Sequence, residues 1–525
     1  MRKILATACS VSLLVPGPMA LQAQTETAAR SGNSVAERGY CRTPEALPDL
    51  GREAVVNQQQ SVRSVPPPVA MAVASPPPPA APPGPPPPPP PPPPSADGDE
   101  RIVVTGARVS RSGESSASEE STMDVAEAEG RAPASAMPGY TRPVMPRPPQ
   151  PNPQSGLLTA GEHDDLLNPE LYAAYVRQSD LGQRIAALPL LDTSRVLRVE
   201  AKDSRGRAVP FLPIELRCED GNSIVLNSVA DGSAVFFPGL DRLSETVWVR
   251  AGAGEWRSMR LAADAGAQSI TIQTDQNAGP VRKLDIALVV DVTGSMSDEL
   301  RFLQAELRSI LDSLEARHED IDIRVAFSFY RDEGDDFITK TFGFDSDVAR
   351  AQTRLAAQYA GGGGDYEEAM QDALVRAAGL NWRDDAVKSL LLVGDAPPHD
   401  RDIPRTWLAA EHLRAERVHV IPVGASGVAD VAEYIMRAMA AATQSRYTFL
   451  TDDSGIGNPH AKPAIDCYLV TRLDQLLRRV IDSQLSGRRI EPEKNEVIRA
   501  VGQYDAGKCI LPPDFAERTG QQKDA

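Results

Sequence analysis

The sequence predicts an α/β fold, a doubly wound and mostly parallel sheet, preceded by a small β-sandwich and a long proline-rich N-terminal region. Three observations carry this. Between residues 282 and 488, apolar strand-like runs alternate with amphipathic helical stretches, the pattern of a parallel sheet covered on both faces. Between residues 193 and 276 the apolar period falls to two, with turn pairs between short runs. Of the 46 prolines in the 525 residues, 19 lie between Pro66 and Pro94 and eight between Pro133 and Pro153. Neither helices nor central strands form in such stretches.

Residues 1–24 read as a secretory signal peptide. Arg2 and Lys3 precede a mostly apolar run from Ile4 to Leu21, and Ala20 and Ala23 supply small residues for cleavage. The expected location is therefore outside the cytoplasm: periplasm, outer-membrane-associated or extracellular. No later run reaches the ~18 apolar residues of a membrane span, so no transmembrane segment is expected in the mature chain. The formal net charge of −17 argues against a nucleic-acid partner, which would call for a basic patch. Four cysteines follow the signal: Cys41, Cys218, Cys467 and Cys509. They allow three full pairings, and none has the spacing of a zinc site. A bridge between Cys467 and Cys509 and a set of free thiols both fit the sequence.

Residues 25–155 are rich in Ser, Ala, Glu, Gly and Pro and lack apolar periodicity, so disorder is expected. The proline core predicts a polyproline II spacer. One β-prone island interrupts it: Ile102, Val103, Val104, Thr105 and Gly106. An isolated strand can add to a partner's sheet edge. The island resembles the TonB box of TonB-dependent outer-membrane receptors, and the resemblance implies contact with a TonB-like protein. Residues 156–190 are expected to form a short helical segment, with Asn168 as N-cap and Pro169 in the first turn.

The β-sandwich reading of 193–276 rests on runs such as Val196–Ala201, Phe211–Cys218, Ala234–Phe237, Thr246–Arg250 and Ser269–Gln273. It resembles immunoglobulin-like modules of surface proteins and holds no catalytic constellation. In the α/β domain, strands are expected at Leu284–Val290, Ile323–Phe329, Ser389–Val393, Val418–Val423 and Tyr447–Leu450. Helices are expected near 297–316, 348–357, 367–378, 407–416, 431–443 and 473–485. The charged stretch 489–525 reads as a C-terminal tail.

In such sheets ligands bind outside the carboxyl ends of the strands. The first strand runs into Asp291, Thr293 and Ser295, three oxygen donors on alternate residues with Gly294 allowing the turn. The third strand ends at Asp395, and the run Gly361–Gly364 delivers Asp365 to the start of a helix. Oxygen donors without Cys or His select Mg²⁺, Mn²⁺ or Ca²⁺ over zinc. This arrangement resembles the metal-ion-dependent adhesion site (MIDAS) of von Willebrand factor A (vWA) domains, whose fold is Rossmann-like. The resemblance spans about 200 residues. Its Asp-x-Ser/Thr-x-Ser element is matched by Asp291, Thr293 and Ser295, and its distant Asp by Asp395. Gly361–Asp365 with Glu368 resembles the Gly-Gly-Gly-Asp-x-Pro-Glu variant of hemicentin-like members, with Glu367 in place of proline. The resemblance implies a dication held by Asp291, Thr293, Ser295, Asp365 and Asp395, and a partner's acidic group completing its shell. Three carboxylates bring a formal −3 to a +2 ion, which predicts a weak pull on such a group. His399, Glu368 and His460 are expected at the rim.

The leading functional expectation is a non-enzymatic, exported binding module for adhesion or envelope assembly, engaging a protein or cell-surface ligand through metal. The alternatives are a metal-dependent hydrolase and an envelope structural component whose metal only rigidifies the vWA loops. Hydrolysis needs an open metal position, a base and a pocket. The chain has no His-Glu-x-x-His, Gly-x-Ser-x-Gly or phosphate-binding Gly-x-x-x-x-Gly-Lys element.

Overall fold

The computed structural model describes residues 39–51, 151–262 and 266–515. The signal-like segment, the proline core and the 102–106 island lie outside the described residues. The chain enters with β1 (Thr159–His163), every residue of which is buried. Two helices follow, α1 (Pro169–Ser179) and α2 (Leu181–Arg184). Asn168 and Pro169 start α1 as the sequence predicts.

Seven strands come next: β2 (Leu197–Lys202), β3 (Pro213–Arg217), β4 (Ser223–Asn227), β5 (Ser233–Phe236), β6 (Thr246–Ala251), β7 (Arg257–Arg260) and β8 (Gln268–Gln273). They form two sheets, β5-β2-β8 and β4-β3-β6-β7. The alternation seen in the sequence becomes an inner face of Leu197, Val199, Ile214, Leu216, Val247 and Val249, all buried in one core. Each such side chain, moved out of water, contributes roughly 1.5–3 kcal/mol.

The large sheet is built from β9 (Lys283–Asp291), β10 (Asp322–Tyr330), β11 (Thr339–Asp345), β12 (Val387–Gly394), β13 (Val418–Gly424), β14 (Tyr447–Leu450), β15 (Tyr468–Arg472) and β16 (Arg499–Val501). Its order is β11-β10-β9-β12-β13-β14-β1-β15-β16. The strands β10, β9, β12, β13 and β14 run parallel. On one face lie α3 (Leu300–Arg317), α4 (Val348–Ala356) and α8 (Leu473–Ser486). On the other lie α5 (Met370–Ala378), α6 (Ile403–Ala415) and α7 (Asp430–Ala442). Along β9, Leu284, Ile286, Leu288 and Val290 feed the first core while Ala287 and Val289 feed the second. Burial on both sides explains the unbroken apolar run. The neighbours of β9 are β10 on one side and β12 on the other. Its carboxyl end is therefore the switch point of the sheet, where the fold opens a crevice.

Four sequence expectations are corrected. The start of the 156–190 segment is the strand β1, inserted antiparallel between β14 and β15. Its signals are tertiary: a Cβ at Gly161 would overlap the Phe449 ring, and the buried Glu162 is paired by Arg446 and Arg479 from distant segments. Residues 39–51, expected to be disordered, are fixed by the Cys41–Cys218 disulfide and by an ion pair of Arg42 with Glu411 at 2.6 Å. The stretch 489–525, read as a tail, adds β16 to the edge of the large sheet, and the Cys467–Cys509 bridge that the sequence allowed is formed. Finally, β11 was not expected, because none of its seven residues is fully buried and it pairs antiparallel at the edge.

Candidate metal centre

Asp291 is the last residue of β9 and is fully buried. The chain turns there because Thr293 donates twice to Asp291 Oδ1, from its backbone N–H at 2.8 Å and its hydroxyl at 2.6 Å. Ser295 Oγ donates to Asp395 Oδ1 at 3.1 Å. Thr293 Oγ1 and Ser295 Oγ lie 3.0 Å apart. Each hydroxyl has one proton, and in this arrangement both protons go to carboxylates. The two oxygens then meet lone pair to lone pair, which a cation between them would stabilise.

Charge points the same way. Burial first, and then Asp395, push the Asp291 carboxyl up to about 7. Burial, with Glu299 and Asp298 adding repulsion, raises Asp395 to about 6. Asp291 Oδ2 and the Tyr330 hydroxyl are both buried without a hydrogen bond of normal geometry among the described residues. Buried charge without a counter-charge is costly, so this donor set of hard oxygens fits a dication. Two glycines give the carboxylates their room. A Cβ at Gly394 would sit 2.5 Å from the Tyr330 hydroxyl, and one at Gly427 would sit 2.9 Å from Asp395 Oδ2.

The glycine run is docked on this turn. Gly294 N–H donates to Gly362 O, and Gly361 N–H donates to Val292 O, both at 3.0 Å. Gly362 and Gly363 take left-handed backbone, with φ of 82° and 76°. Gly363 N–H is held by Asp335 Oδ2 at 2.9 Å. The run ends in Asp365, whose side chain is exposed. Its ligand oxygen clusters with one atom each from Asp332 and His399, all within 4.8 Å of one another. The predicted five-residue set thus falls into two groups. Asp291, Thr293, Ser295 and Asp395 share one hydrogen-bonded chain, whereas Asp365 joins Asp332 and His399.

The predicted rim residues divide as well. His399 Nε2 lies 2.9 Å from Asp332 Oδ1. Glu368 is only 2% exposed, and its Oε2 has no hydrogen-bond partner among the described residues. Burial first, then Asp291, Asp332, Asp395 and Asp335, raise its carboxyl to about 9. His460 is no rim contact: its ring is buried between Glu299 and Asp452, 2.8 Å from each. There it fastens the loop after β14 to the start of α3. Asp298 serves the same loop, accepting Asn458 N–H at 2.5 Å.

Sequence reasoning missed Asp332 and Asp335. The signal was available, since both follow the carboxyl end of β10, the same edge that made Asp291 and Asp395 conspicuous.

Residues 285–458 match the family model described as von Willebrand factor A domain. Similar proteins include an alpha-protein kinase, vwkA, of Dictyostelium discoideum, 25% identical over 117 residues, which cover 22% of this chain and 19% of that protein. A putative ariadne-like RING finger protein, R811, of Acanthamoeba polyphaga mimivirus is 33% identical over 131 residues, covering 24% of this chain and 12% of its own. The chain thus spans less than a fifth of the length of these curated relatives. Among solved structures, the conserved hypothetical protein BatB of Bacteroides thetaiotaomicron is 11% identical with a TM-score of 0.27, covering 38% of this chain and 98% of its own. An aerotolerance-related membrane protein of Bacteroides fragilis gives the same identity and TM-score, covering 39% and 99%.

Proposed function

We propose that this chain is a non-enzymatic, exported binding module whose vWA domain engages a protein or cell-surface ligand through a divalent cation, Mg²⁺ or its hard relatives Mn²⁺ and Ca²⁺. The observation that carries the reading is the hydrogen-bonded chain from Asp291 through Thr293 and Ser295 to Asp395 at the switch point of the sheet. Asp291 and Asp395 would hold the ion, with the Thr293 and Ser295 hydroxyls turning lone pairs to it. Bound there, the cation supplies a Lewis-acidic position for an oxygen of the partner. With Asp365 in the neighbouring group, these four residues bring −2, which matches the ion's charge. Two disulfides support an oxidising compartment outside the cytoplasm.

The test is a pull-down from envelope extract by the full chain, in Mg²⁺ and in chelator, beside an Asp291→Ala variant. Partner capture is expected only for the wild type in Mg²⁺, with a cooperative melt retained in chelator. Equal capture in chelator refutes metal-dependent binding. Loss of the cooperative melt in chelator would favour an ion that only stiffens the loops.

A further inference from the structure

We propose that Asp332, Asp365 and His399 form a second cation site beside the first, one suited to a borderline dication such as Mn²⁺ or Zn²⁺. The proposal rests on the reading above only in taking this edge of the sheet to hold cations.

The scaffold comes first. Asp332 follows β10 and His399 follows β12, the two strands that flank β9. The segment carrying Asp365 is tied to both by backbone hydrogen bonds. Glu368 N–H donates to Pro397 O at 3.0 Å, and Ala369 N–H donates to Arg331 O at 3.2 Å. The three side chains are thus delivered by cross-linked main chain. Their ligand atoms lie within 4.8 Å of one another. Two ligands on opposite sides of one ion, each at about 2.0–2.2 Å, stand about 4 Å apart, so a small adjustment closes the site.

The chemistry differs from that of the first site. Nitrogen enters the donor set, and imidazole with carboxylates suits Mn²⁺ or Zn²⁺, whereas Mg²⁺ prefers oxygen alone. The imidazole is only 14% exposed and is already oriented, with Nε2 against Asp332 Oδ1 at 2.9 Å. Among the described residues, Asp332 has no ion-pair partner other than His399, and Asp365 forms no ion pair. The nearby guanidinium groups are engaged elsewhere: Arg331 faces Asp336 and Tyr359 O, and Arg401 faces Glu333 and Asp402.

A separate observation is Glu368. It is almost wholly buried, its Oε2 is unpartnered, and it feels Asp332 and Asp335 as well as Asp291 and Asp395. Glu368 stands three residues past Asp365 on the same segment, so a buried carboxylate oxygen without a partner among the described residues adjoins the cluster in the chain.

The experiment is equilibrium dialysis of the full chain against Mn²⁺, counting ions per chain for the wild type, His399→Ala and Asp291→Ala, with melting curves in chelator as a check of folding. Two ions are expected for the wild type and one for each variant. A single ion that His399→Ala keeps and Asp291→Ala loses overturns this site and leaves the first standing. The reverse pattern supports this site and overturns the first, and no bound ion in the wild type overturns both. If His399→Ala does not fold, X-ray absorption of the Zn²⁺-loaded wild type decides. A shell containing nitrogen is expected, and an all-oxygen shell overturns the proposal.

Discussion

Replacing Asp291 with Asn should make the metal-free protein more stable. Asp291 is fully buried, and burial together with Asp395 lifts its carboxyl from 3.8 to about 7. A group whose folded pKa is raised contributes stability below its unfolded pKa and loses it as pH rises through the folded value. Keeping the carboxylate ionised at pH 8 therefore costs the native state at most about 4 kcal/mol, at ~1.4 kcal/mol per tenfold change in equilibrium. Part of that is shared with Asp395, which is raised to about 6. Asn keeps an oxygen for the Thr293 N–H and removes the charge. Urea unfolding in chelator is expected to show little difference between the two proteins at pH 4. An advantage for Asn should then grow between pH 4 and pH 8. Mg²⁺ should narrow the gap by ~2.7 kcal/mol at 100 times its Kd and close it by ~4.1 kcal/mol at 1,000 times, because only the wild type binds the ion well. If Asp291→Asn is no more stable than wild type in chelator at pH 8, the two carboxylates do not repel as argued, and the case for a cation between them fails.

Two further predictions concern the frame. Burial alone would raise Glu162, but Arg446 and Arg479 outweigh it and hold the carboxyl at about 2. Glu162→Gln leaves two buried guanidinium groups short of a counter-charge and is expected to cost about 3–5 kcal/mol in denaturant unfolding. That loss should be constant above pH 5 and shrink as pH falls from 4.5 towards 2; a cost unchanged at pH 2 contradicts the pairing. Replacing Cys41 and Cys218 together by Ser should cost about 2–5 kcal/mol and open residues 39–51 to limited proteolysis. Equal protease resistance would show that the non-covalent contacts of the segment, the Arg42–Glu411 pair and the bonds of His412 and Arg376 to its backbone among them, hold it without the bridge.

Much of this architecture was legible because it follows local rules. The five parallel strands announced themselves as apolar runs, and the sandwich as alternation between turn pairs. Asp291, Thr293 and Ser295 were readable as a site because the turn after β9 places them within four residues of each other. What could not be read is what the tertiary structure decides. Nothing in Thr159–His163 marks it as a strand until Phe449 packs over Gly161 and two distant arginines neutralise Glu162. The allocation of Asp365 was hidden for a similar reason. Its spacing from the glycine run is local, but its neighbours Asp332 and His399 arrive from two other strand ends. His460 looked like a rim residue because its loop does reach that face. Its ring is instead consumed between Glu299, 161 positions earlier in the chain, and Asp452.

Because β1 lies between β14 and β15 in the large sheet, the sandwich is a detour from that sheet, leaving after β1 and returning at β9. Both of its ends are anchored in the same body, so it cannot swing as a bead on a string. A fragment beginning at residue 282 would lack the strand that separates β14 from β15. It would expose a row of unsatisfied backbone groups on each, an invitation to self-association. The smallest piece worth expressing therefore keeps Cys41, the bridge partner of Cys218, as well as Thr159–His163, and carries both modules.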